Sequence, residues 1–162
     1  MEASHAVQAL GGVKSEERRK AAEACAKDPS IAMAAIVPLC RCCSDSDEEV
    51  SQWSQAALEE LGPPEADELD SLLELTTSAA STAYWAVTLI GRLQAKASPA
   101  VASLGKLIEK EDTPVEVRDR AIWAIGQIGV ADEAIKTTLQ KAAQSENART
   151  ARLASKALSK LQ

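Results

Sequence analysis

The stretch Pro38–Val50, PLCRCCSDSDEEV, packs three of the chain's four cysteines into four positions and follows them with acids. Cys40, Cys42 and Cys43 are residue types for metal or thiol chemistry. A structural zinc site needs four converging ligands, normally from CxxC-like pairs on turns. On a helix, adjacent Cys42 and Cys43 diverge by about 100°, so only Cys40 and Cys43 have a spacing that could share an ion. The one histidine, His5, is distant in sequence. Nucleophilic catalysis through Ser or Cys usually needs a paired base, most often His. The expectation is therefore no catalytic residue, no metal and no cofactor. The cysteines read first as small hydrophobes filling a core, with a redox-sensitive thiol as the alternative.

The elements that position them are helical. Among 162 residues there is no Phe, one Tyr and three Trp, and Ala and Leu carry the apolar content. That composition favours closely packed helices over strands, which want β-branched and aromatic residues. No apolar run approaches the ~20 residues of a membrane span. The N-terminal stretch MEASHAVQALGG lacks the basic and apolar regions of a signal peptide. Cysteines without disulfide-framework spacing suit a reducing cytoplasm.

Net charge is −6 but unevenly placed: residues 1–41 sum to +1, residues 42–91 to −11, and residues 92–162 to +4. The middle window holds no Lys or Arg. Such a belt repels phosphate and argues against nucleic acid along the molecule. It suits a partner protein with a basic surface.

One pattern recurs: Ala, an apolar residue, two variable positions, an apolar residue, and often Gly. It stands as AALEELG from Ala57's helix, WAVTLIG around Ala86, WAIGQIG around Ala124 and KALSKLQ around Ala157, with a weaker copy at Ala24. The anchor alanines step by 33, 29, 38 and 33 residues. A period in this range is the signature of a helical solenoid. Each unit reads as a B-type helix, a short acidic or small-residue turn, then an A-type helix. The B-type segments are AAIVPLCRCC, EADELDSLLELTT, SPAVASLGKLIEK and ADEAIKTTLQKAA. Asp, Ser and Thr in the turns should cap the A-type helices, and Gly62, Gly91 and Gly129 should end them. Pro114 suits a first helical turn. Pro38 must either kink its helix or sit where regular helix has just begun near Ala35.

The segment SPAVASLGKLIEKEDTPVEVRDRAIWAIGQIG resembles a HEAT repeat, of the short kind also found in phycobilisome-lyase-like proteins. The stretch carrying the likeness is Asp112, Pro114, Val117, Arg118, Ala121 and Ala124; Ser51 replaces the Arg one unit earlier, and the third unit lacks both Asp and Arg. The resemblance covers residues 15–162 and implies one domain spanning 1–162. It implies an all-α, α–α superhelix of about four helix pairs plus a partial first unit. It also implies a non-catalytic scaffold or adaptor that binds other proteins through its B-type helices; the alternative is an accessory subunit of a bilin-lyase-like enzyme. KALSKLQ carries no closing polar unit, so the chain could be a piece of a longer solenoid and could self-associate.

Aligning the B-type helices makes Leu39, Leu72, Leu104 and Leu139 equivalent. Cys42 then matches Leu75 and Leu107, and Cys43 matches Thr76 and Ile108. Two residues after the aligned Leu, a side chain points about 200° away from it. Those positions hold Arg41, Glu74, Lys106 and Lys141, with Asp70 two residues before Leu72. They are the expected partner-reading charges. Trp85 and Trp123, each just before an anchor Ala, are either partner anchors or packing between repeats.

Overall fold

The computed structural model describes residues 1–161. Every regular element among them is helical. The α-helices are α1 (Ala3–Leu10), α2 (Ser15–Lys27), α3 (Pro29–Ala34), α4 (Ile36–Cys42), α5 (Glu48–Glu59), α6 (Leu69–Leu75), α7 (Ala80–Arg92), α8 (Val101–Glu109), α9 (Val115–Ile128), α10 (Glu133–Ala143) and α11 (Ala148–Lys160). The pairs α1/α2, α4/α5, α6/α7, α8/α9 and α10/α11 follow the B-then-A order that the repeats predict.

The chain forms two compact units: Met1–Pro64 with Glu74–Ala86, and Glu65–Leu73 with the described residues from Val87 onward. In the first, α2 packs on α5, α1 on α4, and α4 on α5. In the second, α9 packs on α11, α8 on α10, α8 on α9, and α10 on α11. The helices α1, α2, α4 and α5 in one unit, and α8 to α11 in the other, each touch their pair partner and the like helix of the neighbouring pair, as stacked repeats require.

The reason lies in the periodic apolar residues. Leu39, Leu72, Leu104 and Leu139 are all 0% exposed. Each such burial contributes about 1.5–3 kcal/mol. Ala86 and Ala124 are fully buried and Ala57 and Ala157 nearly so, whereas Ala24 of the weak copy is only half-buried. Small anchors allow backbones to approach closely.

Capping follows the sequence at several ends. Asp47 accepts the backbone N–H groups of Glu49 and Val50, Asp132 that of Ile135, and Asn147 those of Arg149 and Thr150. Three details differ from expectation. Only Gly129 ends its helix, in the left-handed region at φ 79°. Gly91 lies inside α7: a Cβ there would sit 2.5 Å from Trp123 Cζ3, so the position is kept bare for close approach. Gly62 falls beyond the end of α5, whose C-cap is Glu60. Pro114 is the N-cap of α9, one residue outside the first turn.

An unexpected short helix, α3, capped by Asp28, precedes the first complete B-type helix. The chain breaks at Ala35, and Pro38 falls in the first turn of α4, where its missing N–H is not needed. A 3-10 segment, Gln94–Ala100, precedes α8 and takes in Ser98–Ala100, the opening residues of the B-type segment SPAVASLGKLIEK.

Candidate functional site

The turn between a B-type and an A-type helix must be tied down before the exposed face of the repeat can have a fixed shape. In the second unit Arg118 of α9 does this. Its Nη2 donates to the carbonyls of Lys110 (3.1 Å), Glu111 (3.2 Å) and Thr113 (3.3 Å). Asp119 beside it, 4% exposed, accepts the Thr150 hydroxyl at 2.7 Å and so fastens α9 to α11. In the first unit, Ser51 stands where the motif has Arg and donates to the Cys43 carbonyl at 2.7 Å. Both residues reach the carbonyl eight positions earlier.

The first unit also carries a two-pronged ion pair. Arg18 donates through Nε to Asp45 Oδ2 at 2.7 Å and through Nη2 to Asp45 Oδ1 at 2.9 Å. Its Nη1 donates to the carbonyls of Gly12 and Val13. The hydrogen bond from Arg18 holds the Asp45 carboxyl below its usual range. Arg18 occupies the motif position of Arg118 exactly one hundred residues earlier in number, a match the weak first copy hides.

On this frame the five charges expected to read a partner all come to the surface. Arg41, Asp70, Glu74, Lys106 and Lys141 are exposed, each two residues from a fully buried leucine. Among the described residues none of the five forms an ion pair. The charges of α2 behave differently: Lys20 pairs with Glu16 at 2.7 Å and Lys27 with Glu23 at 2.6 Å. Arg41 and Glu74 belong to the first unit, and Asp70, Lys106 and Lys141 to the second.

Lys141 borders an open groove of about 720 Å³ in the second unit, lined also by Ile108, Glu109, Glu111, Arg118 and Thr138. Thr138 donates to Glu109 Oε1 at 2.6 Å across the groove floor, joining α10 to α8. Lys106 is not among its lining residues. The roles of Glu109 and Thr138 escape a reading of single helices. The available signal was spacing: the two lie 29 residues apart, about one repeat.

The tryptophans sit lower. Trp85 is 9% exposed, in edge contact with Tyr84, its Nε1 3.5 Å from Gln55 Oε1 of α5. It offers a partner little surface. Trp123 is half-buried, with its ring beside Gly91 and the Arg120 guanidinium 4.8 Å from the ring centroid.

All four cysteines are free and buried. Cys42 Sγ lies 3.5 Å from the Leu10 carbonyl and Cys43 Sγ 3.3 Å from the Leu39 carbonyl. Burial pushes the thiols of Cys25 and Cys42 up to about 11, and Cys43 further still. Cys42 and Cys43 fill the places that Leu107 and Ile108 fill in the second unit. Among the described residues no three His, Cys, Asp or Glu side chains converge as a metal would need, and no helix is long and apolar enough to cross a membrane.

No protein-family model matches the chain, and no curated protein matches it by sequence. Its shape is similar to those of solved repeat proteins. An engineered protein superposes with a TM-score of 0.64 at 16% identity, covering 99% of this chain and 81% of that one. A designed armadillo repeat protein in complex with the peptide (KR)4 gives 0.62 at 20% identity, covering 97% and 80%. Computationally designed armadillo repeat proteins for modular peptide recognition give 0.62 at 21%, covering 97% and 81%. At these identities the likeness is one of fold.

Proposed function

From an all-α, armadillo-like repeat fold, we propose that this chain is a non-catalytic interaction module of the HEAT type, one domain over 1–162, that binds an extended segment of another protein in the cytoplasm. The observation carrying this reading is the set of exposed charges Arg41, Glu74, Lys106 and Lys141 at repeat-equivalent sites, with Asp70 beside them on α6, all without ion pairs among the described residues. Side chains that serve stability alone tend to be buried or paired; these are neither. Solenoids bind by presenting one such position per repeat to successive residues of a partner. Two of the similar designed proteins were made for, or solved with, peptides, which supports the same mode here.

The test is selection from a displayed library of random peptides. The wild-type chain should enrich a family of extended sequences. A Glu74→Lys/Lys106→Glu/Lys141→Glu variant should lose them while keeping its melting temperature. Enrichment of the same peptides by that variant would contradict the proposal, as would a wild-type chain that enriches nothing.

A further inference from the structure

A different face of the second unit carries charge that the fold does not neutralise. Helix α11, ARTARLASKALSK, holds four cations and no acid. Advancing about 100° per residue sets Arg149, Arg152, Lys156 and Lys160 within an arc of about 80°. Arg152, Lys156 and Lys160 are exposed and form no ion pair among the described residues. Arg149 has a single carboxylate nearby, Asp119 at 3.5 Å, whose closer bond goes to Thr150 at 2.7 Å. Arg149, Arg152 and Lys156 flank Leu153 in an open groove, and Trp123 lies beside Leu153 and Lys156 in an adjoining crevice. This cationic strip therefore has apolar surface beside it, the composition of a docking face with a polar rim.

The same unit carries an unneutralised run of the opposite sign. Glu65, Asp67 and Glu68, around the short turn before α6, stand at the surface or half-exposed and make no ion pair among the described residues. Cations and carboxylates on one unit that leave each other unpaired can be neutralised between molecules. We infer that the α11 strip, Arg152, Lys156 and Lys160, docks the Glu65–Glu68 turn of a second copy of this chain, head to tail. Each copy presents one face of each sign, so the contact is heterologous and can extend beyond a dimer. Complementary exposed charges act mainly on encounter and fade as salt shortens the screening length. The association is accordingly weak and salt-sensitive. It uses residues outside the partner-reading set and stands or falls separately from it.

The experiment is sedimentation velocity on the full chain over a hundred-fold concentration range, at ~20 mM and ~500 mM salt, where screening lengths differ several-fold. The wild type should sediment faster as concentration rises at low salt and as a monomer at high salt. An Arg152→Glu/Lys156→Glu/Lys160→Glu variant should stay monomeric at both. So should a Glu65→Lys/Asp67→Lys/Glu68→Lys variant. Mixed together, the two variants should associate again, because each now carries the sign the other lacks. A unchanged melting temperature shows that each variant is folded. A wild type that is monomeric throughout overturns the inference, as do variants that self-associate like the wild type or that ignore each other when mixed. Retention of the α11 strip by a single-stranded oligonucleotide, with no self-association, also overturns it in favour of a phosphate partner.

Discussion

The two units secure the same turn with different chemistry. In the first, the tie is a carboxylate gripped by a guanidinium, Asp45 to Arg18, backed by the short hydroxyl of Ser51. In the second, Arg118 turns one nitrogen to three carbonyls, and the closest bond to a buried carboxylate, Asp119, comes from a neutral hydroxyl, with the Arg149 guanidinium farther off at 3.5 Å. The core shows a similar exchange: Cys42 and Cys43 in one unit, Leu107 and Ile108 in the other, all below 8% exposed. A repeat thus fixes places and sizes before it fixes residue types. A turn needs its carbonyls met, and a column needs volume filled. Several side chains satisfy either need.

The comparison breaks most visibly where one side chain supports a neighbouring pair. Trp123→Ala should cost about 3 kcal/mol, as loss of a large packed aromatic does. Lys106→Ala, on an exposed face, should stay within about 0.5 kcal/mol. Thermal or denaturant melts measure both, and a neutral Trp123→Ala would move that ring from packing to partner contact.

Next comes the ion pair. Asp45→Asn leaves Arg18 facing a neutral amide, and with both side chains mostly buried the loss should be about 2 kcal/mol. The pair also makes the first unit acid-sensitive. Because the folded carboxyl titrates below its unfolded value, its contribution is complete above the ordinary carboxylate range of about pH 4 and is lost as pH falls through the depressed folded value. The protection factors of the Cys42–Asp47 amides, exchange rates divided into their intrinsic rates at each pH, should therefore fall on acidification in the wild type and depend less on pH in Asp45→Asn.

The two turn clamps sharpen the contrast further. Arg118→Ala removes a charged donor from three carbonyls and should cost about 2 kcal/mol, whereas Ser51→Ala removes two neutral bonds, to the Cys43 carbonyl and from the Gln55 amide, and should cost about 1 kcal/mol. Equal losses from the two would mean that the Arg118 contacts do not hold the turn.

The smallest effect concerns the thiols. With Cys25 and Cys42 pushed up to about 11 by burial, a thiol-specific reagent near neutral pH should react slowly with the folded chain and quickly with all four cysteines after denaturation. Fast labelling of Cys40, Cys42 or Cys43 in the folded chain would restore the redox reading of that cluster.

Much of this architecture was legible because helical periodicity and repeat period act along the chain. The aligned leucines, the turn capped by Asp47, and the surface positions of Arg41, Glu74, Lys106 and Lys141 all follow from counting residues, whereas the cap of α11 falls to Asn147 and not to the Asp, Ser or Thr expected. What escaped was set by contacts one repeat away. Gly91 looked like a helix end because Gly commonly is one, yet the ring of Trp123 claims its space. Asp45 read as one acid of the belt that suits a basic partner, yet Arg18, 27 residues earlier, pairs with it. The groove's Thr138–Glu109 bond has the same character. Such pairs are invisible to a window of one helix and become visible once polar residues are compared at repeat spacing.

On the proposed function, each B-type helix separates packing from recognition by two residues. Leu139→Ala and Lys141→Glu, on α10, test it side by side through melting temperature and affinity for a selected peptide. Leu139→Ala should cost about 2–5 kcal/mol of stability while the folded fraction keeps its affinity. Lys141→Glu should melt as the wild type does and lose affinity at least several-fold. A Lys141→Glu variant with wild-type affinity, for a peptide that Lys106→Glu also fails to weaken, would contradict it.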